Sequence, residues 1–295
     1  MREGCQICNG PTMQVFSVGQ FPLYRCRNCG LEGLSPQPDD QILERIYGKD
    51  YFLGSRDTDA RRLMDEMKGL TAEKYLQILK RKLEVDSPRL IEIGCGGGEF
   101  LEKAMASGFD VVGVELSSNA VQAANRKLGI PRVVAGDLLD VDLNSLGVFD
   151  CCVLLDVIEH VRNPLPYLKK IRSLLGSNGI CFIVTPSLNS WSARLLGRYW
   201  MEYKPEHLFY FNRKNITRML SDAGFHNVNV SSNWKILNLE YIDFHMQKFH
   251  VPIISPLSKL FVKALPKKLR HYNFGIVASG MCVVGSLNDS SCGRD

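Results

Sequence analysis

Short apolar runs alternate with segments of helical periodicity along most of the chain. The apolar runs lie at 89–93, 109–115, 132–138, 149–156, 180–186 and 274–287. Helical patterns between them lie at 99–107, from 117, from 164 and at 214–223. Strands that alternate with helices form mainly parallel sheets, and a wholly apolar run suits a central strand that is buried on both faces. The pattern therefore predicts an α/β fold with a doubly wound sheet.

The first of these strands ends in an acid and runs into a glycine-rich segment. Glu92, Gly94, Gly96 and Gly98 form the pattern E-x-G-x-G-x-G. Glycine lets the backbone turn sharply and bring its N–H groups against a ligand, and the following helix points its N-terminus at the same place. A dinucleotide fingerprint needs glycine where Glu99 stands. The segment predicts a cofactor loop, with an ordinary strand-to-helix turn as the alternative.

Acidic residues end the next two strands. Glu115 is placed to accept hydrogen bonds from both hydroxyls of a ribose. Its alternative role, an N-cap, is less favoured because Ser117 and Ser118 already serve as caps. Asp137, followed by Leu138, is expected to accept an adenine amino group while a neighbouring backbone N–H meets a ring nitrogen. An ordinary turn aspartate is the alternative.

These motifs resemble class I S-adenosylmethionine-dependent methyltransferases, in the group that includes ubiquinone-pathway O-methyltransferases and sugar-modifying methyltransferases. The resemblance covers most of residues 89–230, including Asp156-Val-Ile-Glu159-His160 and the helix opened by Asn163-Pro164. It implies a seven-stranded Rossmann-like sheet with Asp156 beside the sulfonium of S-adenosylmethionine. It also implies methylation of a small molecule or glycan, with O-methylation favoured and C-methylation as the alternative.

Methyl transfer from a sulfonium is an in-line displacement that needs alignment and a deprotonated acceptor. His207 and His160 are candidate general bases, because imidazole titrates near neutrality. A backbone-bonding role for His160 at the start of a helix is equally favoured. In ubiquinone-pathway relatives, an acid-x-x-Glu-His cluster can hold a divalent cation that lowers the pKa of the acceptor hydroxyl. Asp156, Glu159 and His160 match that cluster, with aspartate in place of the usual glutamate.

Four cysteines near the N-terminus form two C-x-x-C pairs separated by seventeen residues: Cys5, Cys8, Cys26 and Cys29. This spacing is typical of tetrahedral four-thiolate zinc, and Gly10 and Gly30 are expected to permit the knuckle turns. A segment of about thirty residues cannot build a hydrophobic core, so a metal would supply its folding free energy. Residues 1–34 are predicted to form a structural zinc ribbon, in preference to a redox or disulfide pair.

Composition fits one α/β core with a small appendage. The chain has 295 residues, of which 45% are hydrophobic, and a formal net charge of +5. Its N-terminus lacks the apolar run of a signal peptide and no run reaches bilayer length, so a cytoplasmic protein with reduced thiols is expected. Cys151, Cys152 and Cys181 are expected to be small buried hydrophobes.

Residues 35–84 are predicted to link the ribbon to the methyltransferase domain, which is placed at 85–287. A proline-marked linker at 35–40 precedes an aromatic stretch, and two helical segments are expected between Asp59 and Leu83. The aromatic stretch is expected to cap the acceptor pocket or, equally, to pack against the core, and contains Tyr47, Tyr51 and Phe52. The polar tail, 288–295, is expected to fray.

The acceptor side is predicted after the fifth strand, between Trp191 and Phe211. This segment is rich in aromatic and basic residues, namely Trp191, Tyr199, Trp200, Tyr203, Phe209, Tyr210, Phe211, Arg194, Arg198 and Lys204. Loops at the carboxyl edge of such sheets carry function. Aromatic rings with cations suit stacking on sugars or planar rings and pairing with phosphates.

A basic insertion is predicted at 235–272, before the final strand. It contains seven lysines and arginines against two acids, and the difference equals the net charge of the whole chain. One helical face is apolar and contains Leu257, Leu260, Phe261, Ala264 and Leu265. A helix that covers the sheet edge is favoured over two alternatives: a lid for a phosphorylated substrate, and contact of 257–270 with an anionic membrane near a lipid-linked glycan, at the inner face of the membrane.

An RNA methyltransferase that holds its substrate through the ribbon and the insertion is the rival function. Residues 1–34 contain three arginines, no lysine and two acids, which is hardly a phosphate-binding surface. The N/D-P-P-Y motif of amino-group methylases does not follow the fourth strand. Nucleic acid is therefore disfavoured as a partner, and a non-catalytic cofactor-binding protein is a weaker third interpretation.

Overall fold

The computed structural model describes residues 4–46, 58–83, 85–248 and 254–288. Their eleven strands are β1 (Thr12–Val18), β2 (Phe21–Cys26), β3 (Glu32–Leu34), β4 (Arg89–Ile93), β5 (Asp110–Glu115), β6 (Val133–Ala135), β7 (Phe149–Leu155), β8 (Leu175–Pro186), β9 (Phe209–Tyr210), β10 (Asn227–Leu237) and β11 (Phe274–Ser286). Their α-helices are α1 (Asp40–Ile46), α2 (Thr58–Lys82), α3 (Glu99–Ala106), α4 (Ser118–Leu128), α5 (Pro164–Leu174), α6 (Trp191–Leu196), α7 (Arg213–Asp222), α8 (Leu239–Lys248), α9 (Ile254–Ala264) and α10 (Lys267–Arg270).

The main sheet has seven strands in the order β10-β11-β8-β7-β4-β5-β6. Strands β4 to β8 pair in parallel, and β11 lies antiparallel between β8 and β10. The chain winds outward from β4 in both directions, so a crevice opens at the carboxyl ends of β4 and β7, where ligands bind in such sheets. The predicted α/β, doubly wound, seven-stranded fold is confirmed.

Hydrophobic cores lie on both faces of this sheet because successive strand residues point to opposite sides. Leu90 and Val153 face the core that is shared with α2 and α3, whereas Ile91 and Leu154 face the core that is shared with α5 and α7. The predicted buried cysteines, Cys151, Cys152 and Cys181, are fully buried in these cores.

One continuous helix, α2, replaces the two helical segments expected before the first core strand. Gly69 lies inside it, and a β-carbon at that position would lie 3.2 Å from the Lys103 side chain of α3. The glycine therefore leaves room for the Lys103 side chain and does not end the helix. The predicted aromatic contacts of Tyr47, Tyr51 and Phe52, and the tail beyond Asn288, lie outside the described residues.

A second sheet contains the N-terminal strands, in the order β1-β2-β3-β9. Its fourth strand, β9, comes from the loop of the main domain that holds the predicted acceptor residues, and Glu32 pairs with Tyr210 in register. The N-terminal segment is therefore not a separate appendage. It shares a buried cluster with the main domain, in which Cys5, Cys29 and Leu31 pack with Phe209.

The basic insertion forms helices α8, α9 and α10 between the antiparallel strands β10 and β11. The favoured expectation for its apolar face, cover for the sheet edge, is wrong for the residues at its centre. Leu257, Leu260 and Phe261 are 60%, 72% and 59% exposed. Helix α9, which contains these residues, instead packs on α8 through serine hydroxyls, with Ser258 Oγ donating to Asp243 Oδ1 at 2.6 Å.

Candidate active site

Three glycines with left-handed backbone shape the loop after β4. Gly94, Gly96 and Gly98 have φ of 70°, 52° and 78°. A β-carbon at Gly94 would lie 2.7 Å from Val157 Cγ2, and one at Gly98 would lie 3.0 Å from the β-carbon of Ala124. A β-carbon at Gly96 would meet nothing within 4 Å. Gly94 and Gly98 are thus required by packing, and Gly96 leaves space for a ligand to approach the backbone.

Glu115 fastens this loop to the end of β5. Its buried carboxylate accepts hydrogen bonds from the backbone N–H groups of Gly96 and Ser117, both at 2.9 Å. Ser117 in turn caps α4 by accepting from Ala120 N–H. A carboxylate has about four acceptor positions, so Glu115 keeps capacity for a ligand while it orders the loop.

Glu92 lies beneath the same loop as a buried acid, 3% exposed. Among the described residues, its Oε2 atom has no hydrogen-bond partner. Burial and the negative charges of Glu99 and Glu115 hold the pKa of Glu92 well above its usual range. An unsatisfied buried acceptor is costly, and a ligand that brings a donor or a positive charge would relieve that cost.

Asp137 and Leu138 occupy different environments although they are adjacent. Asp137 lines the crevice, and its Oδ1 accepts from Leu139 N–H at 2.8 Å. The Leu138 side chain is fully buried in the core. Only the backbone of Leu138 is therefore available to a ligand.

Asp156 directly follows β7 and has a left-handed conformation, φ 54°, which is uncommon for a residue other than glycine. Its carboxylate is paired with Lys235 Nζ of β10 at 3.1 Å. Burial lowers the pKa of Lys235, but Asp156, Tyr75, Glu202 and Tyr241 together raise it more, so the net shift of the pKa is upward and the ammonium stays charged. The sequence signalled Lys235 only as part of a basic insertion, not as a residue of the site.

Glu159, His160 and His207 lie together, with candidate ligand atoms within 4.8 Å of one another. This differs from the predicted cation cluster, because His207 takes the place expected for Asp156. The reason is that β9 and the loop before it fold back over the 3₁₀ turn at Ile158–His160, where Leu208 N–H donates to the Glu159 carbonyl at 2.8 Å.

Backbone carbonyls set the tautomers of both histidines. His160 Nδ1 lies 2.9 Å from the Glu206 carbonyl oxygen, and His207 Nδ1 lies 2.8 Å from that of Glu202. A carbonyl only accepts, so each Nδ1 carries a proton and each neutral ring keeps a lone pair on Nε2. Burial lowers the pKa of His160 to about 4 and that of His207 well below its usual range.

Glu159 completes the cluster as an almost wholly buried acid, 1% exposed. Its Oε2 accepts from Thr185 Oγ1 at 2.9 Å, and its Oε1 has no partner among the described residues. Burial and the charge of Asp156 raise the pKa of Glu159 to about 8. One unsatisfied acid oxygen and two imidazole lone pairs thus converge in a small volume.

Most of the aromatic residues predicted for acceptor binding are structural. Trp200, Phe209, Tyr210 and Phe211 are buried, where they pack against one another and the second sheet. Trp191 and Tyr199 are exceptions, at 55% and 49% exposed, and Trp191 lines the crevice. Aromatic content alone did not distinguish the two roles, because core and ligand contact both favour large apolar rings.

The crevice is an open cavity of ≈ 1530 Å³ that contains both groups of residues. Its polar part is formed by Gly94, Glu115, Asp137, Asp156, Glu159, His160, His207 and Lys235. Its apolar part is formed by Trp191, Leu195, Leu196, Met201, Ile242, Met246, Ile276 and Val277. The glycine loop and the histidine cluster therefore open onto one space.

The four N-terminal cysteines also converge, with sulfur atoms within 4.8 Å of one another. Cys5 Sγ lies 3.5 Å from Cys29 Sγ, and Cys8 Sγ lies 3.4 Å from Cys26 Sγ. The knuckle turns differ from the expectation in one respect. Gly30 has φ 71° as expected, but Asn9 takes the left-handed position in the other knuckle, φ 54°. Gly10 is needed for space, since a β-carbon there would lie 2.6 Å from Asn28 Nδ2.

Comparison with known proteins identifies the family. A methyltransferase domain model matches residues 63–230, more than half of the chain. A ubiquinone biosynthesis O-methyltransferase of Pelagibacter ubique is 29% identical over 171 residues, which cover 51% of this chain and 70% of that protein. One of Cereibacter sphaeroides is 32% identical over 142 residues, and the match spans 44% of this chain and 55% of that protein.

Solved structures share the fold. A SAM-dependent methyltransferase of Thermotoga maritima superposes with a TM-score of 0.53 at 18% identity, over 84% of this chain and 99% of that one. One of Archaeoglobus fulgidus gives 0.52 at 17% identity, over 84% and 100% of the two chains. The chain belongs to the methyltransferase domain family and is an S-adenosylmethionine-dependent methyltransferase.

Proposed function

We propose that this protein transfers a methyl group from S-adenosylmethionine to a hydroxyl group of a small molecule or glycan, with transfer to carbon as the alternative. One observation carries the proposal: Gly94 of the glycine loop, Glu115 and Asp137 line the same cavity as the cluster of Glu159, His160 and His207. The similar proteins are ubiquinone biosynthesis O-methyltransferases, which supports oxygen as the acceptor atom. The chain spans only about half the length of several of these relatives, so the acceptor is our proposal.

Residues around the glycine loop fit the cofactor. The open space at Gly96 admits a ligand against the backbone. The unsatisfied Glu92 oxygen suits the positively charged amino-acid part of S-adenosylmethionine. Gly94 and Gly98 shape the loop, Glu115 would accept from the ribose hydroxyls, and Asp137 with the Leu138 backbone would hold the adenine. When bound, the cofactor supplies an electrophilic methyl group on its sulfonium.

A matched pair of glycine substitutions tests this cofactor site. Gly96→Ala and Gly129→Ala each place a methyl group in open space at a left-handed φ, 52° and 70°. We expect both to lower the free energy of unfolding by roughly 1–2 kcal/mol. Only Gly96→Ala should weaken binding of S-adenosylhomocysteine, at least tenfold by isothermal calorimetry, because Gly129 caps the C-terminus of α4. Equal binding by the two variants would count against the loop as the cofactor site.

For the acceptor, we propose that Glu159, His160 and His207 bind a divalent cation, which would lower the pKa of a coordinated hydroxyl. The donor set of one carboxylate and two imidazoles, each with its Nδ1 bonded to a backbone carbonyl and Nε2 as its acceptor nitrogen, fits such an ion. Asp156, included in the predicted set, is instead paired with Lys235 and is proposed to orient the acceptor or the cofactor. The alternative is that His207 or His160 removes the acceptor proton directly as a general base.

Replacement of His207 tests whether this residue acts in methyl transfer and is not needed for cofactor binding. We expect His207→Gln to lower methyl transfer at least about 100-fold, while binding of S-adenosylhomocysteine persists, because the residue acts on the acceptor side. His226→Gln, an exposed histidine, serves as the control. Transfer is measured by mass spectrometry of cell metabolites and glycans incubated with methyl-labelled cofactor. Unchanged transfer by His207→Gln would contradict its proposed role.

Removal of metal by a chelator distinguishes the two proposed mechanisms, activation of the acceptor by a cation and direct proton removal by a histidine. A chelator should abolish transfer, and added magnesium or manganese should restore it, if the cluster binds a cation. Full activity after chelation, with the zinc content unchanged, would favour direct proton removal by histidine.

We propose that Cys5, Cys8, Cys26 and Cys29 bind a structural zinc ion. Contacts of 3.4 and 3.5 Å between sulfur atoms approach the spacing of roughly 3.8 Å expected for thiolates at 2.3 Å from a tetrahedral ion. Backbone N–H groups of Ile7 and Asn28 point at the sulfur atoms of Cys5 and Cys26, as suits thiolates. Four protein ligands leave no open coordination position, so catalysis at this ion is not proposed.

The sequence suggested two macromolecular partners, RNA and an anionic membrane, and only the membrane is kept as a proposal. RNA methylation is not favoured, because the charges of the N-terminal segment do not suit phosphate binding. Contact of 257–270 with an anionic membrane, peripheral and on the cytoplasmic side, is retained because its cations and apolar residues are exposed. Among the described helices, none is long and apolar enough to cross a bilayer.

A further inference from the structure

Helix α9 is oriented with its polar side inward. Ser255 Oγ donates to the Met246 carbonyl oxygen of α8 at 2.6 Å, and Ser258 Oγ donates to Asp243 Oδ1 at 2.6 Å. Gln247 Nε2 of α8 donates to the Ser255 carbonyl oxygen, also at 2.6 Å. Val262 is the buried apolar contact on this inward side. Hydrogen bonds rather than apolar burial thus set the orientation of the helix.

The opposite side of α9 presents large apolar side chains to solvent. Leu260 and Phe261 lie one helical turn after Leu257, on the same face of the helix, and all three are at least 59% exposed. Leu269 and Tyr272 extend the exposed surface beyond α9, at 53% and 67%. Contiguous exposed apolar residues on a folded protein mark an interaction surface.

Cations surround this apolar face. Residues 254–272 contain five lysines and arginines and no acid: Lys259, Lys263, Lys267, Lys268 and Arg270. All but Arg270 are exposed. The facing groups of α8 are already engaged, since Glu240 pairs with His271 and Asp243 accepts from Ser258. The surface therefore keeps its positive charge.

We infer that the exposed face of α9 and the following α10 segment docks this protein on a membrane surface that contains anionic phospholipids. Apolar residues inserted at the headgroup boundary and flanking lysines that contact acidic headgroups are the two features of interfacial helices. A second copy of the chain fits this face less well, because a symmetric contact would bring the same five cations together. Nucleic acid fits this face less well, because three of its five exposed apolar residues are leucines, which give bases no aromatic ring to stack on.

The docking face adjoins the acceptor cavity. Helix α8, to which α9 is hydrogen-bonded, lines the apolar part of that cavity with Tyr241, Ile242 and Met246. Docking would therefore hold the mouth of the cavity near the bilayer, where an acceptor with a lipid portion is available. This last step rests on the proposed function, whereas docking itself does not.

Vesicle sedimentation of the full-length, zinc-loaded protein tests the docking. We expect binding to vesicles of phosphatidylcholine with phosphatidylglycerol, weakened by salt, and much less binding to phosphatidylcholine alone. Lys259→Glu with Lys263→Glu should weaken binding at least about 25-fold, because each removed cation costs roughly fivefold. Leu260→Asp with Phe261→Asp should also weaken it, on either type of vesicle.

Matched controls keep the result specific. Arg81→Glu with Lys82→Glu alters exposed cations at the end of α2, and Val148→Asp alters an apolar residue that is 60% exposed at the opposite end of the sheet. These variants should bind vesicles as the unaltered protein does. Calorimetry with S-adenosylhomocysteine and thermal melting verify that every variant is folded.

Three results would overturn the inference. They are equal sedimentation with neutral and anionic vesicles, equal losses in the control variants, and a dimer in light scattering that Leu260→Asp with Phe261→Asp converts to monomer. Vesicle binding needs no acceptor, so its failure would leave the proposed methyl transfer standing. Loss of transfer activity would likewise leave the docking intact.

Discussion

Glu115→Ala is expected to abolish detectable binding of S-adenosylhomocysteine, with the dissociation constant raised at least about 1000-fold. The carboxylate accepts from Gly96 and Ser117 N–H groups, so its loss releases the cofactor loop and leaves two backbone donors without their acceptor. Hydrogen bonds to charged groups contribute roughly 1.5–3 kcal/mol each, and the proposed ribose contacts would be lost as well. Isothermal calorimetry gives the dissociation constant directly.

Glu115→Gln tests how much of the effect comes from the negative charge of Glu115 and how much from the position of its acceptor oxygens. It keeps one carbonyl oxygen but turns an amide donor toward one of the two N–H groups, so an intermediate loss of affinity is expected. Asp150→Asn is the matched control, because Asp150 accepts from Arg89 N–H at 2.7 Å at the opposite edge of the parallel sheet. Undiminished binding by Glu115→Ala, with an unchanged melting profile, would remove Glu115 from the cofactor site.

Cys26→Ser with Cys29→Ser is expected to eliminate bound zinc and to unfold the N-terminal sheet. Structural zinc contributes roughly 10–16 kcal/mol in small zinc-binding peptides, and this contribution is lost when two of the four thiolates are removed. Elemental analysis gives the zinc content, and hydrogen exchange of β1 to β3 reports local unfolding. Cys282→Ser, a change at a buried thiol of the main domain, should leave both unchanged.

The same variant should lose methyl transfer more than cofactor binding. Tyr203 OH donates to Glu32 Oε2 at 2.7 Å, and Leu34 N–H donates to the Leu208 carbonyl at 3.1 Å, so the N-terminal sheet braces the loop that contains His207. The residues of the glycine loop take part in neither of these bonds. An active, zinc-free variant, or equal loss of transfer and cofactor affinity, would contradict this division.

The unsatisfied acids show why cofactor and acceptor sites meet where they do. Glu92 and Glu159 are both buried at the carboxyl edge of the sheet, each with one oxygen that has no partner among the described residues. Such groups lower stability unless a ligand completes them, and they cluster at functional sites for that reason. The fold thus retains two costly acids that a cofactor and a cation are proposed to satisfy.

Local pattern determined much of this protein. Alternation of apolar and helical segments predicts the sheet, because the periodicity of a segment depends on residues that are close in the chain. The glycine spacing predicts the loop, and the C-x-x-C pairs predict the convergence of four cysteines, for the same reason. The glycine loop and each C-x-x-C knuckle are set by conformations within a few residues of the motif, whereas the two knuckles meet because β1 pairs with β2.

Contacts between distant segments determined the rest. Asp156 pairs with Lys235, 79 positions away, and this contact removes it from the cluster that His207 completes. The aromatic strand β9 joins the N-terminal sheet, and α9 turns its serines inward although its apolar face suggested burial. Helical periodicity defines the two faces of α9 but not which one meets the protein, because that choice depends on the hydrogen bonds offered by α8, which only the tertiary structure supplies.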